Sequence, residues 1–408
     1  MMGKVLITGG SVVNVRTGER ERADVLLDGN GIVAVGRPAD FGAQQPQAIP
    51  VDADGKTILP GFSNNHVHVG WTGMGWDGGP TGILRDEALN DSDGINGIKA
   101  AANLRKSLRV GLTALRDLGM NRSGFDAKEA LGRGMIKGPR LFIAGKAIMC
   151  TGGHTWWCGQ EADGADGIRA AVRDQVKRGA DLIKIIANER TPQYTLDELR
   201  AAADEAHRLG KRITAHASIA PAIRNVVDAG FDSVEHGGPA EDDVIARMVE
   251  RRITVVPTYS PRILQTERGP ARGMPAEVAA ARRRQAEQTP PGAAHARMRE
   301  AGVKFAFGTD AGSPCVPHDE IMGEIDALLK YEAARTPLDV IQMLTINSAE
   351  LRGDADRLGT VEAGKLADLV VVDGDPLADA QVLGRVRHVF VNGEHLLNEG
   401  VLQDWYAW

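Results

Sequence analysis

Cysteine is scarce in this chain of 408 residues, which contains only Cys150, Cys158 and Cys315. Their number is odd, and no two of them have the Cys-x-x-Cys spacing of a paired zinc ligand. The composition therefore argues against a disulfide framework and against a cysteine-based zinc site. It fits a reducing compartment.

Long hydrophobic runs are also missing. No stretch approaches the roughly 20 apolar residues that a membrane-spanning helix requires. The N-terminal sequence, MMGKVLITGGSVV, has one lysine and no long apolar core that ends in a small-residue cleavage site. We interpret it as a strand and not as a signal peptide. The sequence therefore predicts a cytoplasmic protein without a membrane partner.

The chain also lacks an excess of positive charge, since its formal net charge is −6. This balance argues against nucleic acid or an anionic membrane surface as the main partner. Hydrophobic residues make up 43% of the chain and charged residues 25%, as in soluble globular proteins. A chain of this length is expected to form one large domain and a smaller one.

Short β-rich runs separated by Gly and Asn turns occupy both ends of the chain. The predicted terminal strands are Lys4–Ile7, Ser11–Asn14, Asp24–Asp28, Ile32–Val35, Thr57–Leu59, Ala367–Asp373 and Val386–Val391. Asn392-Gly393 follows the last run as a hairpin signal. Strands at opposite chain ends must cover their apolar faces, and packing against each other achieves this. We predict one small β-sandwich domain from residues 1–60 and 360–408.

Between these ends, β-rich runs alternate with longer helical patterns such as Leu196–Leu209 and Pro239–Arg251. The predicted strands are Gly61–His68, Leu112–Leu118, Arg140–Ile148, Asp181–Ala187, Arg212–Ala217, Ser233–His236, Thr254–Tyr259 and Lys304–Asp310. Eight such units predict an α/β fold, a (β/α)8 TIM barrel over residues 61–359. No G-x-G-x-x-G fingerprint supports a dinucleotide-binding fold. The segment Arg262–Arg299 has helical composition and resembles an insertion able to cover the barrel mouth.

Ionisable residues stand at or near the ends of these apolar runs, where barrel enzymes carry their chemistry. They are His66, His68, Lys184, His216, His236 and Asp310. A buried ionisable group must be paired or bound to a metal. His66 and His68 alternate along one strand, so both imidazoles point to the same face and suit zinc or a similar metal. Hydrogen-bonded core histidines, and an Asp310 that caps a helix, are the structural alternatives.

Lys184 lies between Ile183 and Ile185 and therefore faces the barrel interior. Burial there disfavours the charged form and lowers the pKa of the amine. A neutral amine can react with CO2 to give a carbamate, which is an anionic oxygen ligand able to bridge two metals. The alternative is an inward lysine paired with Asp310 or with a substrate carboxylate.

The ordered motifs HVH, IKI, TAHAS, VEHG and FGTDAG resemble those of the amidohydrolase superfamily. The flanking sequences ILPGF and LGTVEAGKLADLVVVDGDPL resemble its imidazolonepropionase-like and prolidase-like branch, which includes Xaa-Pro and Xaa-Arg dipeptidases. The resemblance spans essentially the whole chain. It implies a metal-dependent hydrolase with two divalent ions, zinc above all.

The resemblance also implies a role for each residue. His66, His68 and Asp310 would hold the buried ion, and His216 and His236 the outer one. N6-carboxylated Lys184 and a hydroxide would bridge the two ions. Asp310 would accept the proton of the hydroxide and deliver it to the leaving nitrogen.

Four further residues are candidates for substrate binding. His154 ends a Gly-Gly-His turn, and Tyr259 ends the seventh predicted strand. Trp157 follows Trp156 in a tryptophan-rich loop that could line an apolar pocket with Trp71 and Trp76. Arg190 could pair with a substrate carboxylate. An exposed loop position, ordinary lid packing and a local ion pair are the structural alternatives.

The predicted reaction is cleavage of an amide (C–N) bond in a small molecule such as a dipeptide or an N-acyl amino acid. The loop 188–192 departs from the small Ser/Gly-rich loop of prolidase-like relatives, which leaves dipeptidase specificity open. A urea, carbamate or anilide bond in a small apolar or aromatic compound is the alternative. A mononuclear deaminase and a non-catalytic barrel are less favoured, and homo-oligomerisation is possible.

Overall fold

The computed structural model describes residues 3–37, 41, 48–74, 82–119, 121–288 and 292–404. Trp76, one of the tryptophans considered for the pocket, lies outside these residues. In the described part of the chain, no helix combines the length and the apolar character needed to cross a bilayer.

The described residues of the N-terminal part form seven strands. They are β1 (Val5–Thr8), β2 (Ser11–Val13), β3 (Arg20–Arg22), β4 (Asp24–Asp28), β5 (Gly31–Gly36), β6 (Ile49–Asp52) and β7 (Thr57–Pro60). Four of them form a sheet in the order β5-β4-β1-β6. The runs predicted from alternation are all present, and the structure adds β3 and β6.

The barrel strands follow, each pairing in parallel with its neighbours. They are β8 (Phe62–Val67), β9 (Leu112–Asp117), β10 (Arg140–Ile143), β11 (Ile148–Met149), β12 (Gln160–Glu161), β13 (Leu182–Ile186), β14 (Arg212–Ala217), β15 (Ser233–His236), β16 (Thr254–Val256) and β17 (Lys304–Phe305). The barrel closes where the segment after β17 meets β8, since Asn65 N donates to Phe307 O at 2.8 Å.

The chain returns to the terminal domain in four strands. They are β18 (Leu369–Val372), β19 (Val386–Val391), β20 (Glu394–Asn398) and β21 (Val401–Leu402). They join N-terminal strands in a sheet of order β21-β20-β19-β18-β7-β2-β3. Val25 and Leu27 of the first sheet share one apolar core with Ile58, Leu369 and Phe390 of the second. This confirms the predicted β domain built from both termini, whereas its residue limits stay a prediction.

Helices cover the barrel strands. They are α1 (Gly82–Asn90), α2 (Asp93–Leu108), α3 (Ser123–Gly132), α4 (Gly164–Arg178), α5 (Leu196–Arg208), α6 (Ala220–Asp228), α7 (Asp242–Glu250), α8 (Ser260–Arg268), α9 (Ala276–Gln288), α10 (Ala293–Ala301), α11 (Met322–Lys330), α12 (Pro337–Leu344) and α13 (Ile346–Arg352). Side-chain capping fixes where some of these helices begin. At α5, Thr195 and Glu198 form a capping box. The TIM-barrel prediction is confirmed.

Three barrel strands are shorter than the apolar runs predicted. The run 140–148 breaks at Gly145, whose φ of +71° suits glycine. The run 254–259 ends at Val256, because Pro257 has no N–H for the ladder and Thr258 adopts φ 53°. The run 304–310 ends at Phe305, and the Phe307 N–H turns to Met343 O at 3.1 Å.

The segment 262–299, predicted as a helical insertion, contains most of α8, all of α9 and part of α10, with a 3-10 turn at Pro270–Arg272. Pro261 and Gln265 of α8 line the cavity at the C-terminal end of the barrel strands. The side chain of Arg282 on α9 donates to the Gln265 amide oxygen. The insertion therefore borders the mouth of the barrel.

Candidate metal centre

Seven ionisable side chains line a cavity of about 210 Å3 at the C-terminal ends of the barrel strands, and six of them form one cluster beside His154. These six are His66, His68, Lys184, His216, His236 and Asp310. These are the residues selected from the sequence. The ligand atoms of His66, His236 and Asp310 all lie within 4.8 Å of one another, a spacing that could hold a metal ion.

Asp310 follows β17 and projects its carboxylate toward His66 of β8 and toward His68, which follows β8. Its Oδ1 lies 3.0 Å from His68 Nε2 and 3.5 Å from His66 Nε2, and it accepts from the Ser313 hydroxyl at 2.9 Å. Burial alone would raise the pKa of this carboxyl, but the imidazoles of His66 and His68 lower it far below its ordinary value. Asp310 is therefore an anion at neutral pH.

His66 and His68 each have a fixed acceptor for Nδ1. For His66 the acceptor is Glu235 Oε2 at 2.8 Å, and for His68 it is the Gly119 carbonyl at 3.0 Å. With Nδ1 protonated, a neutral imidazole presents the lone pair of Nε2. In this neutral form both Nε2 lone pairs face the Asp310 carboxylate without donating to it, whereas protonated imidazoles would donate to it and lower its pKa. A divalent cation satisfies such a set of donors, so these residues fit a metal.

His216 and His236 form the opposite wall. His236 Nε2 lies 2.8 Å from His216 Nδ1, and His236 Nδ1 lies 2.5 Å from the Thr258 hydroxyl. Burial lowers the pKa of His236 to about 3 and holds that of His216 well below its ordinary value. Both imidazoles are therefore neutral at pH 7, which is the form that binds metals.

The Lys184 side chain is buried within the barrel, with 1% of the residue exposed. Its Nζ forms no hydrogen bond with the described part of the chain. Burial lowers the pKa of the amine to about 8. An orphaned amine of lowered pKa fits the chemistry of carbamate formation, although the unmodified side chain does not itself supply the anionic ligand.

Three residues at the site adopt backbone conformations that L-residues rarely use. His236 has φ 70°, Thr258 has φ 53° and Asp310 has φ 58°. Each such conformation costs roughly 1–2 kcal/mol for a residue with a Cβ atom. Strained backbone conformations of this kind are common at sites where side chains are oriented toward a ligand.

The sequence analysis missed a buried ion pair beneath the site. Glu235 Oε1 contacts Arg116 Nη2 and accepts from Thr214 Oγ1 at 2.6 Å. Burial raises the pKa of the Glu235 carboxyl, but Arg116 and His66 outweigh it and hold the pKa below its ordinary value. The sequence signal for this pair was Arg116 within the strand LTALRD and Glu235 within the strand SVEH, both in apolar surroundings.

Two of the four candidate substrate-binding residues line the cavity. The His154 ring lies 5.2 Å from that of His216, and burial lowers the pKa of His154. The Trp157 ring lies 5.6 Å from that of Trp71. Much of the remaining cavity wall is apolar. It is formed by Trp71, Ile186, Pro261 and Pro314.

The structure does not bring Tyr259 and Arg190 to the cavity. The Tyr259 hydroxyl lies 2.6 Å from His295 Nδ1, because the strand ends early and Tyr259 is the N-cap residue of α8. Arg190 lies on an exposed loop after β13. Neither residue is among the cavity-lining side chains.

Known proteins resemble this chain in sequence and in fold. The family model for the amidohydrolase family matches residues 57–396. Ochratoxinase of Aspergillus niger is 27% identical, over 98% of this chain and 88% of that protein. Its crystal structure aligns at 25% identity with a TM-score of 0.83, covering 98% of this chain and 97% of that one.

Two solved peptidases resemble the chain as strongly. A prolidase complexed with N-methylphosphonate-L-proline has a TM-score of 0.85 at 29% identity, covering 97% of this chain and 100% of that one. A Xaa-Pro dipeptidase with bound methionine has a TM-score of 0.84 at 27% identity, covering 96% and 99%. The predicted resemblance to the prolidase-like branch is confirmed. This chain belongs to the amidohydrolase family and is a hydrolase that acts on carbon–nitrogen bonds.

Proposed function

We propose that this amidohydrolase cleaves an amide bond in a small molecule such as a dipeptide or an N-acyl amino acid. The observation that carries the proposal is the convergence of His66, His68, His216, His236, Lys184 and Asp310 on one cavity. Three neutral or anionic donors within 4.8 Å of one another support a metal-dependent reaction.

The proposed centre holds two divalent ions, zinc being the metal that best suits its imidazole-rich donors. We assign His66, His68 and Asp310 to the buried ion and His216 and His236 to the outer one. His236 could also share one ion with His66 and Asp310, since the ligand atoms of these three residues lie within 4.8 Å of one another. Lys184, once carboxylated, would supply the bridging anion between them.

When bound, such ions lower the pKa of water and polarise a scissile carbonyl. Residues of the chain would transfer the proton and bind the substrate. Asp310 lines the cavity, and its carboxylate would accept a proton from the attacking water and return it to the leaving nitrogen. His154 stands at the cavity wall against His216, where it can contact the carbonyl or a carboxylate of the substrate.

The substrate class follows from the relatives and from the cavity wall. The relatives named above are a prolidase, a Xaa-Pro dipeptidase and an ochratoxinase. In this chain, Trp71 and Trp157 form an aromatic wall beside the ionisable cluster. A dipeptide or N-acyl amino acid with an apolar or aromatic side group fits this combination.

The same wall supports a second candidate, a urea, carbamate or anilide bond in a small apolar compound. Apart from Lys184 and the histidines, no basic side chain lines the described part of the cavity. A free substrate carboxylate would therefore find no arginine there. This favours neutral apolar substrates as the alternative.

A hydrolysis screen tests the proposal. Protein loaded with Zn2+ and protein stripped by a chelator are incubated with N-acyl amino acids, dipeptides, carbamates and aryl ureas, and metal per chain is counted. About two ions per chain with turnover of the first two groups supports the proposal. Turnover of only the last two groups supports the alternative. One ion per chain with release of ammonia would instead indicate a deaminase.

A further inference from the structure

The His66 imidazole has a charged partner on the side away from the cavity. Its Nδ1 lies 2.8 Å from Glu235 Oε2, and both side chains are almost completely buried, at 3% and 0% exposure. His68 differs, since its Nδ1 bonds to the neutral Gly119 carbonyl. Both rings face Asp310 through Nε2, but on Nδ1 only His66 has an anionic partner.

Glu235 is itself held in one orientation. Thr214 Oγ1 donates to its Oε1 at 2.6 Å, and Arg116 Nη2 donates to the same oxygen. Arg116 is fixed in turn, because its Nε donates to Asn65 O at 2.7 Å and its Nη1 to Ser233 Oγ at 3.3 Å. With Oε1 occupied, Oε2 remains directed at His66.

We propose that Glu235 is a positioning residue that fixes His66 as the Nδ1–H tautomer and aims its Nε2 at the metal centre. This inference rests on the proposed metal-dependent function. A carboxylate behind a metal-binding imidazole orients the ring and raises its basicity, and loss of such a partner typically weakens metal binding 10- to 100-fold. Arg116 acts one step further away, by balancing the charge of Glu235 inside the barrel.

An alternative role for the pair is purely structural, as a buried ion pair that links β9 and β15. A structural role would change stability but would leave metal affinity and metal geometry unchanged in the folded protein. The two roles are therefore separated by measurements on the metal and not by activity alone.

The test is Glu235→Gln, which keeps the shape and an acceptor oxygen but removes the charge. Zn2+ affinity is measured by competition with a fluorescent chelator, and the Co2+-loaded protein is examined by visible absorption. We expect Zn2+ to bind about 10- to 100-fold more weakly and the Co2+ bands to shift. Wild-type affinity and an unchanged Co2+ spectrum in folded Glu235→Gln would overturn the proposal.

Glu205→Gln is the matched control. Glu205 is also buried and, like Glu235, is an ionised carboxylate paired with arginine, here Arg173 and Arg208, with no hydrogen bond to an imidazole among the described residues. Its Zn2+ affinity should remain that of the wild type. A similar weakening in both variants would mean that loss of any buried carboxylate near the barrel disturbs the centre, and that outcome also overturns the proposal.

Thr214→Val covers the case in which Glu235→Gln does not fold. It retains the ion pair with Arg116 and removes one of the hydrogen bonds that orient Glu235. The expected loss of Zn2+ affinity is roughly threefold to tenfold, and an unchanged affinity counts against positioning. If the wild type itself binds no Zn2+ or Co2+, the proposed function fails. If it binds them and the variants match it, only the role of Glu235 fails.

Discussion

Asn64 and Thr309 are 245 residues apart in the chain, and two hydrogen bonds join them inside the barrel. Asn64 Nδ2 donates to Thr309 Oγ1 at 2.7 Å, and Thr309 N donates to Asn64 Oδ1 at 3.1 Å. The same Oδ1 accepts from His66 N at 3.2 Å. One amide thus fixes the chain beside His66 and beside Asp310, which are the two residues that must meet across the closed barrel.

Asn64→Ala should therefore lower both stability and metal content. The substitution leaves Thr309 N buried without its acceptor, which costs about 1–3 kcal/mol of unfolding free energy. Urea unfolding and metal analysis of the purified protein measure the two effects. Asn14→Ala is the control, because the Asn14 side chain accepts only from Arg16 N on an exposed turn. Equal stability of the two variants would contradict the role given to Asn64.

Lys184→Ala should sharply reduce bound metal and hydrolytic activity. The proposed carbamate is then lost, and a short carboxylic acid supplied in the buffer should restore part of the activity by occupying the same position. Lys365→Ala is the matched control, since Lys365 is also buried but its Nζ donates to Ala355 O and Leu358 O, outside the centre. Full metal occupancy and normal turnover in Lys184→Ala would remove the carbamate from the mechanism.

The convergence of the residues at the strand ends was predictable from the sequence, because it depends on the topology of the barrel and not on packing details. In a closed parallel barrel, every strand end reaches the same rim, so His66, Lys184, His216, His236 and Asp310 converge whatever the details of packing. Local alternation was enough to find them. The packing of both chain ends into one β domain followed from the need to cover apolar faces.

Contacts between side chains of different strands were not predictable in this way. Arg116 and Glu235 appear in the sequence as two isolated charges, and only the barrel geometry pairs them. Tyr259 was misplaced because an apolar run does not reveal where a ladder stops. Its end depends on Pro257 and on the positive φ of Thr258, which turn Tyr259 toward His295.

The stability of the protein should depend on pH through Glu324. Burial raises the pKa of this carboxyl from 4.5 to about 7. The folded state therefore binds the proton more tightly than the unfolded chain. The resulting stabilisation is complete below pH 4.5 and is lost as the pH rises through about 7, a change of at most about 3 kcal/mol.

Glu324→Gln tests this, because an amide does not ionise. Urea unfolding of both proteins at pH 5, 6, 7 and 8 should show the wild type losing stability relative to the variant as the pH rises. Each protein is compared with itself across pH, so a constant offset from the lost hydrogen bonds has no influence. Parallel pH profiles would show that Glu324 is already ionised in the folded protein at pH 5.

The aromatic wall supports a prediction about substrate affinity, and adjacent tryptophans supply the comparison. Trp157 lines the cavity against Trp71, whereas Trp156 is 45% exposed and is not among the cavity-lining residues. Trp157→Ala should raise KM for an apolar substrate about thirtyfold, as expected for about 2 kcal/mol of lost apolar contact. Because this contact is equal in ground and transition states, kcat should change little. Trp156→Ala should leave both constants unchanged, and equal effects of the two substitutions on KM would place the substrate elsewhere.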